Sequence, residues 1–186
     1  MHMKNYAFSR FFLLCGLVAL ASLSFAQAPK FKDAVAYNDY IVLQQTQVGE
    51  KIVAFNDAIA DAENSAEVVR ASHLELLDQT KLAVKNLEAL GAYQGYSKLR
   101  DAALALYQFY ERMVDKQYKE MMEILLLPAP GEAEIARLGE ILQLITEEER
   151  VLDETYLGAQ EEFAKMHNFV LEAPEDPFEE GSEEGN

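Results

Sequence analysis

Apolar residues recur at steps of three, four and seven through most of the chain, and polar breakers divide the pattern into four stretches. From about 32 to 63, Ala34, Ile41, Val48, Phe55 and Ala62 stand seven apart with Ile52 and Ile59 on the same face, which predicts a long amphipathic helix. Asn64-Ser65-Ala66-Glu67 reads as a capping box opening a second helix, about 65 to 90; Leu77, Val84 and Leu87 face inward and Gly91 ends it. Ser97 is the expected N-cap of a third helix, about 97 to 127, with Ala103, Tyr107, Tyr110, Val114, Met121 and Leu125 on its stripe. Pro128-Ala129-Pro130-Gly131 must break it, since proline lacks the donor and clashes with the preceding turn. In the fourth stretch, about 132 to 170, Leu138, Ile145, Leu152, Ala159 and Met166 are seven apart, flanked by Ile135, Leu142, Tyr156, Phe163 and Val170. Glu140, Glu147, Glu154 and Glu161 repeat at the same interval on the opposite, water-facing side.

Helices this long, joined by short turns, bury their stripes only against one another, and short connections make neighbours antiparallel. The expected fold is all-α: an up-down-up-down antiparallel four-helix bundle over residues 27–171, with no period-two segment to suggest a sheet. Residues 172–186 hold Pro174, Pro177, Gly181, Gly185 and seven acids with no base, so they are expected to form a disordered acidic tail.

The first 28 residues follow a different rule. Lys4 and Arg10 precede an apolar run from Phe11 to Leu23, and small residues follow at Ser24, Ala26 and Ala28. That is the layout of a secretory signal peptide. Cutting after Ala28 would leave Pro29 on the far side of the scissile bond, so cleavage is expected after Ala26, leaving Gln27 first. The apolar run is too short to span a bilayer. Cys15, the single cysteine, follows Leu14 rather than a small residue and so lacks a lipobox; it reads as an ordinary apolar residue of the signal.

Loss of this leader removes the thiol, and with it disulfides, thiol catalysis and Cys-containing zinc sites. It also takes Lys4 and Arg10 away, moving the formal charge from −16 to −18. Nucleic acid and anionic lipid are poor partners for such a chain, whereas a cationic partner is compatible with it. The expected location is exported: periplasmic, secreted or cell-surface, with no integral membrane anchor once the signal is cut.

Catalytic and cofactor motifs are missing from the pattern. A ferritin-like metal site needs Glu-x-x-His on two helices, and His73 and His167 have no second ligand at helical spacing. Ser65 and Ser97 are explained as helix starts, and the glycines are scattered singly, with no phosphate loop. No catalytic, cofactor-binding or metal residue is therefore assigned. Glu149 departs from the plain bundle, falling between Leu142 and Tyr156 on the fourth stripe, and Gln45 interrupts the first. With Thr80, Tyr110 and Gln117 at comparable heights, these residues suggest a buried polar layer around Glu149; the competing reading has Glu149 at the edge of the seam, reaching water. Tyr93 and Tyr96, in the loop between the second and third helices, are candidates for a contact patch or a cover over the end of the core.

At Tyr37-Asn38-Asp39-Tyr40-Ile41, Ala54-Phe55-Asn56-Asp57-Ala58, Leu99-Arg100-Asp101-Ala102-Ala103 and Tyr118-Lys119-Glu120-Met121 the chain resembles the leptospiral-type family of small bacterial surface proteins. The resemblance implies an exported helical protein and carries over no catalytic or binding residue. The function expected is that of a non-enzymatic exported bundle, a structural or protein-interaction module; the alternative is a small-ligand or ion-binding bundle using the polar layer around Glu149.

Overall fold

The computed structural model describes residues 29–171. The expected signal peptide, 1–26, and acidic tail, 172–186, lie outside the described residues. Within them the chain is all-helical, with no strand. α1 is Ala34–Ala60, α2 Ala66–Glu88 and α3 Lys98–Met113; a π-helical turn, Val114–Tyr118, joins α3 to α4, Lys119–Leu125, and α5 is Glu132–His167. These make four long helical runs, the third being α3, the π turn and α4 together.

Local chemistry sets the boundaries. Asp33 caps α1 by accepting the Ala36 N–H at 2.8 Å. At α2 the cap is Ser65, whose Oγ accepts from Val68 N; Asn64 instead donates to Ala58 O, and the expected Asn64–Glu67 capping box is replaced by this single Ser65 cap. Gly91 is not the left-handed cap expected either: α2 closes at Ala89. Ser97 stands at the N-cap position of α3 but gives its hydroxyl to Asp101 Oδ2 at 2.6 Å. At α5 the Glu134 carboxylate reaches back to Gly131 N at 3.0 Å, and a Cβ on residue 131 would displace that carboxylate, 2.8 Å away. Asn168, at φ 56°, ends the helix.

The core joins all four runs. Tyr37, Ile41, Leu76, Leu87, Leu99, Leu106, Tyr107, Phe109, Ile141, Tyr156 and Phe163 are almost wholly buried, each such side chain contributing about 1.5–3 kcal/mol. Between α1 and α2 the partners run in opposite sequence directions: Gln44 with Asn86, Gln47 with Gln79, Lys51 with Glu75. α3 and α5 are joined by Lys98–Glu162 at one end and Arg112–Glu148 further along.

Three features of the expected stripes are corrected. Ala62 lies beyond α1 and is exposed. In the third run the π turn accommodates one extra residue, so the inward register slips by one: Met122 is buried where Met121 was expected, and Leu126 packs on the core while Leu125 is exposed. In α5 Ile145, Leu152, Tyr156, Ala159 and Phe163 keep the expected stripe, but Ile141 is the buried residue of the first half. Ile135 and Leu142 are 54% and 51% exposed. Met166 is exposed in the last turn, and Val170 lies past the helix end.

The π turn also has a partner. His73 of α2, buried against Phe55, places Nε2 2.8 Å from Val114 O; because a carbonyl only accepts, that nitrogen carries the proton.

Candidate functional site

A polar seam lies where α3 and the π turn face α5. Tyr110 donates its hydroxyl to Glu149 Oε1 at 3.0 Å, and Glu149 is half-buried. Asp153, one turn on, is also half-buried, and burial together with the neighbouring Glu149 charge pushes its carboxyl above the ordinary aspartate range. Neither carboxylate pairs with a base among the described residues: the closest arginines in sequence are engaged elsewhere, Arg112 by Glu148 and Arg150 by Glu154.

Four tyrosines surround this pair. Burial raises all of them, with the Glu149 charge adding at Tyr110 and Tyr118 and the Asp153 charge at Tyr107, Tyr110 and Tyr156; Tyr156 reaches about 12. The Tyr107 and Tyr156 rings are almost wholly buried, yet neither hydroxyl has a hydrogen-bond partner, and the same holds for Gln117 Oε1 within the π turn. Buried polar atoms of this kind each carry a desolvation cost of about 1–3 kcal/mol. Tyr118 lies flat against Phe55 of α1, its ring centroid 6.0 Å away, so the tyrosine set extends from α5 across to α1.

Geometry also opens the seam to one side. Ile135, Leu142, Glu149, Asp153 and Gln160 follow one another on a single flank of α5, at steps of seven, seven, four and seven. At Gln160 this flank meets α1, its amide donating to Asn38 Oδ1 at 2.9 Å. Moving back toward the start of α5, the flank passes through the half-buried carboxylates to the exposed Leu142 and Ile135. The matching flank of α1 changes in step: Asn38 is buried, Gln45 exposed, Ile52 half-buried and Asn56 exposed. The two helices therefore meet where Gln160 bonds Asn38, and toward the start of α5 the flank faces water.

This geometry corrects the expected polar layer. Tyr110 and Glu149 are brought together as expected, at a half-buried position. Gln45 is exposed; the buried amide of α1 is Gln44, which accepts from Asn86 of α2 at 2.9 Å. Thr80 is buried but donates to Leu77 O of its own helix, a local bond that leaves it no part in the seam. Sequence reading missed Asp153, Tyr107 and Tyr156 as polar members. The signal was present in the spacing Glu149, Asp153, Tyr156, which sets three polar tips on adjoining turns.

Tyr93 and Tyr96 lie at the opposite end. They flank a tight turn at Gln94 and Gly95, both with positive φ, and pair with each other through Tyr93 N to Tyr96 O and the reverse. Both are half-buried, Tyr93 against Tyr37, Phe163 and His167 and Tyr96 against Phe163, so they cover the end of the core. Tyr37 sends its hydroxyl to Gly91 O at 2.9 Å. An open crevice of about 530 Å³ remains beside this cluster, between Lys30, Phe31, Lys32 and the Gly91–Gln94 loop.

Among the described residues no three His, Asp or Glu side chains gather to hold a metal ion, and no helix is long and apolar enough to cross a membrane. No protein-family model, curated protein or solved structure shows significant similarity to this chain.

Proposed function

We propose that this protein is an exported, non-enzymatic helical bundle of the bacterial periplasm or cell surface, of the leptospiral-type family, that works by binding through the half-buried polar seam at Glu149. Its four helical runs are arranged up-down-up-down, and its leader ends at Ala26. Opposed partner order between α1 and α2, and the end-to-end series of α3–α5 ion pairs, support the antiparallel arrangement.

The observation that carries the binding reading is the combination of two half-buried, base-free carboxylates with two deeply buried tyrosine hydroxyls that lack partners. The Tyr107 and Tyr156 hydroxyls bring unmet hydrogen-bonding capacity beside the Glu149–Asp153 pair, a cost that a layer built for stability alone avoids. A second reading, a protein-interaction module, draws on the exposed apolar residues Ile135, Leu142, Leu144, Val151 and Leu157 of α5.

Native mass spectrometry of the protein purified from its own host tests the first reading. A bound small molecule that is absent from the Glu149→Leu variant supports it. A ligand retained at full occupancy by that variant overturns it and moves the site to the Tyr93–Tyr96 end.

A further inference from the structure

We infer that the crevice beside Tyr37 is a second binding site, separate from the seam, and that it takes a small aromatic anion: the ring lies against Phe31 and Tyr93, and Lys30 and Lys32 hold the charge.

Space is the first argument. The crevice measures about 530 Å³, inside the range of about 300–1,000 Å³ typical of small-molecule sites. Two short stretches of chain, 29–32 and 91–94, line it together with Tyr37 of α1. A Cβ added at Gly91 would meet nothing within 4 Å, so the loop backbone is bare at that point. Tyr37 gives its hydroxyl to Gly91 O at 2.9 Å, which ties α1 to the loop before any ligand arrives.

The sign of the ligand follows from the lining. The chain carries 32 acids against 16 bases, yet this crevice is lined by two lysines and no acid. Lys30 has no ion-pair partner among the described residues. Lys32 has only Asp33, at 3.9 Å, and the Asp33 carboxylate is already engaged in capping α1. A cleft with charge of one sign over low-dielectric walls concentrates the opposite ion. The loop adds donors of its own, since the amide N–H groups of Gly91, Ala92 and Gln94 have no backbone acceptor among the described residues.

The walls select a ring over an alkyl chain. Phe31 stands edge-on to Tyr37, the centroids 5.1 Å apart and the planes at 80°, and Tyr37 meets Tyr93 at 5.3 Å. Phe31 and Tyr93 are only half-buried, so each retains ring surface for a further partner. A flat ring placed there extends the cluster by edge-to-face and offset contacts, which reward it beyond the area it buries; an alkyl chain gains the area alone.

NMR titration of the intact protein with 3-phenylpropionate tests the inference, with 3-phenylpropanol, 3-phenylpropylammonium and hexanoate as comparisons. The expected result is one saturable site for 3-phenylpropionate, read from the Gly91, Ala92 and Gln94 amides shifting together. The alcohol and hexanoate bind about two- to tenfold more weakly, and the ammonium shows no site. A double variant, Lys30→Gln with Lys32→Gln, weakens 3-phenylpropionate about fivefold or more. Phe31→Leu weakens it as well, whereas Lys81→Gln with Lys85→Gln, at exposed positions of α2, leaves it unchanged. Thermal unfolding checks that each variant is folded, and the lysine pair decides the matter if Phe31→Leu is not. Equal binding of the alcohol and the acid overturns the inference, because the crevice is then an apolar surface without a preference for charge. An equal loss from the α2 lysine pair overturns it as diffuse attraction, and so does the absence of any saturable site. Glu149→Leu leaves this titration unchanged, so the seam reading and the crevice inference fail separately; loss of 3-phenylpropionate binding in that variant overturns the crevice.

Discussion

Tyr37 at the aromatic end and Tyr107 and Tyr156 along the seam are buried in opposite ways. Tyr37 packs against Phe31, Tyr93 and Phe163, and its hydroxyl is accepted by the Gly91 carbonyl, whereas the Tyr96 hydroxyl in the same cluster has no partner. Along the seam Tyr107 and Tyr156 are buried as deeply, but their hydroxyls have no partner and two carboxylates stand beside them. The first arrangement is what stability alone selects. The second costs stability, and such costs persist in proteins mainly where binding or chemistry uses them. Substitutions at the two ends should therefore differ in sign as well as in size.

Phe163 stands at the centre of the aromatic end, in contact with Tyr37, Tyr93, Tyr96, His167 and Phe169. Phe163→Ala is expected to cost about 3–5 kcal/mol in urea unfolding. A loss under about 1 kcal/mol would mean that these rings are a surface feature rather than the end of the core. Next in size is His73→Leu, which deprives the buried Val114 carbonyl of a donor at the π turn; the expected loss is about 1–3 kcal/mol. If stability is unchanged, the π turn does not depend on that bond.

Glu149→Leu reverses the sign. It continues the apolar flank past Leu142 and removes a poorly compensated charge, so it should be neutral or stabilising by about 1 kcal/mol while abolishing binding. A clear destabilisation would make Glu149 a structural residue fixed by Tyr110. The smallest effect is expected at Asp153. Burial and the Glu149 charge raise its pKa in the folded state, so the fold binds that proton better than the unfolded chain does. Ionisation of Asp153 therefore costs stability once the pH exceeds the folded-state pKa, and the cost vanishes as the pH falls below the unfolded value. Asp153→Asn should raise the melting temperature by about 2 °C at pH 7 and by nothing measurable at pH 3. An increase of the same size at both pH values would trace the effect to packing rather than charge.

Much of the fold was legible in the period of the apolar residues. Val48, Phe55, Leu77, Leu87, Tyr107, Ile145 and Phe163 were placed inward by spacing alone, and all are buried. The failures are equally physical. Spacing assumes an unbroken helix, so the π turn, which has no breaker residue to announce it, shifted Met122 and Leu126 inward unseen. Spacing also assumes that every apolar stripe has a cover. Ile135 and Leu142 follow the rule and remain exposed, with no helix among the described residues covering that flank of α5. The site was legible in one pair only, Tyr110 with Glu149, since a charge on an apolar stripe is conspicuous. Gln45 was the wrong amide because it shares its stripe with Asn38 on the flank that opens, whereas Gln44, one residue earlier, turns toward α2. Tyr107 carried no polar signal, as a tyrosine on a core stripe reads as hydrocarbon until its hydroxyl is traced, and at Tyr156 the only signal was its spacing from Glu149 and Asp153.

The aromatic end has one more consequence, for how the molecule is attached to anything else. Phe31 packs on Tyr37, Phe169 packs on Phe163, and those two rings are 5.6 Å apart, so the chain enters and leaves the described structure at the same pole. The start of α5 lies 36 helical residues from its end, about 54 Å away. A dye, a bead or a surface joined where the described chain begins or leaves therefore holds the protein by its aromatic pole and presents the start of α5 outward.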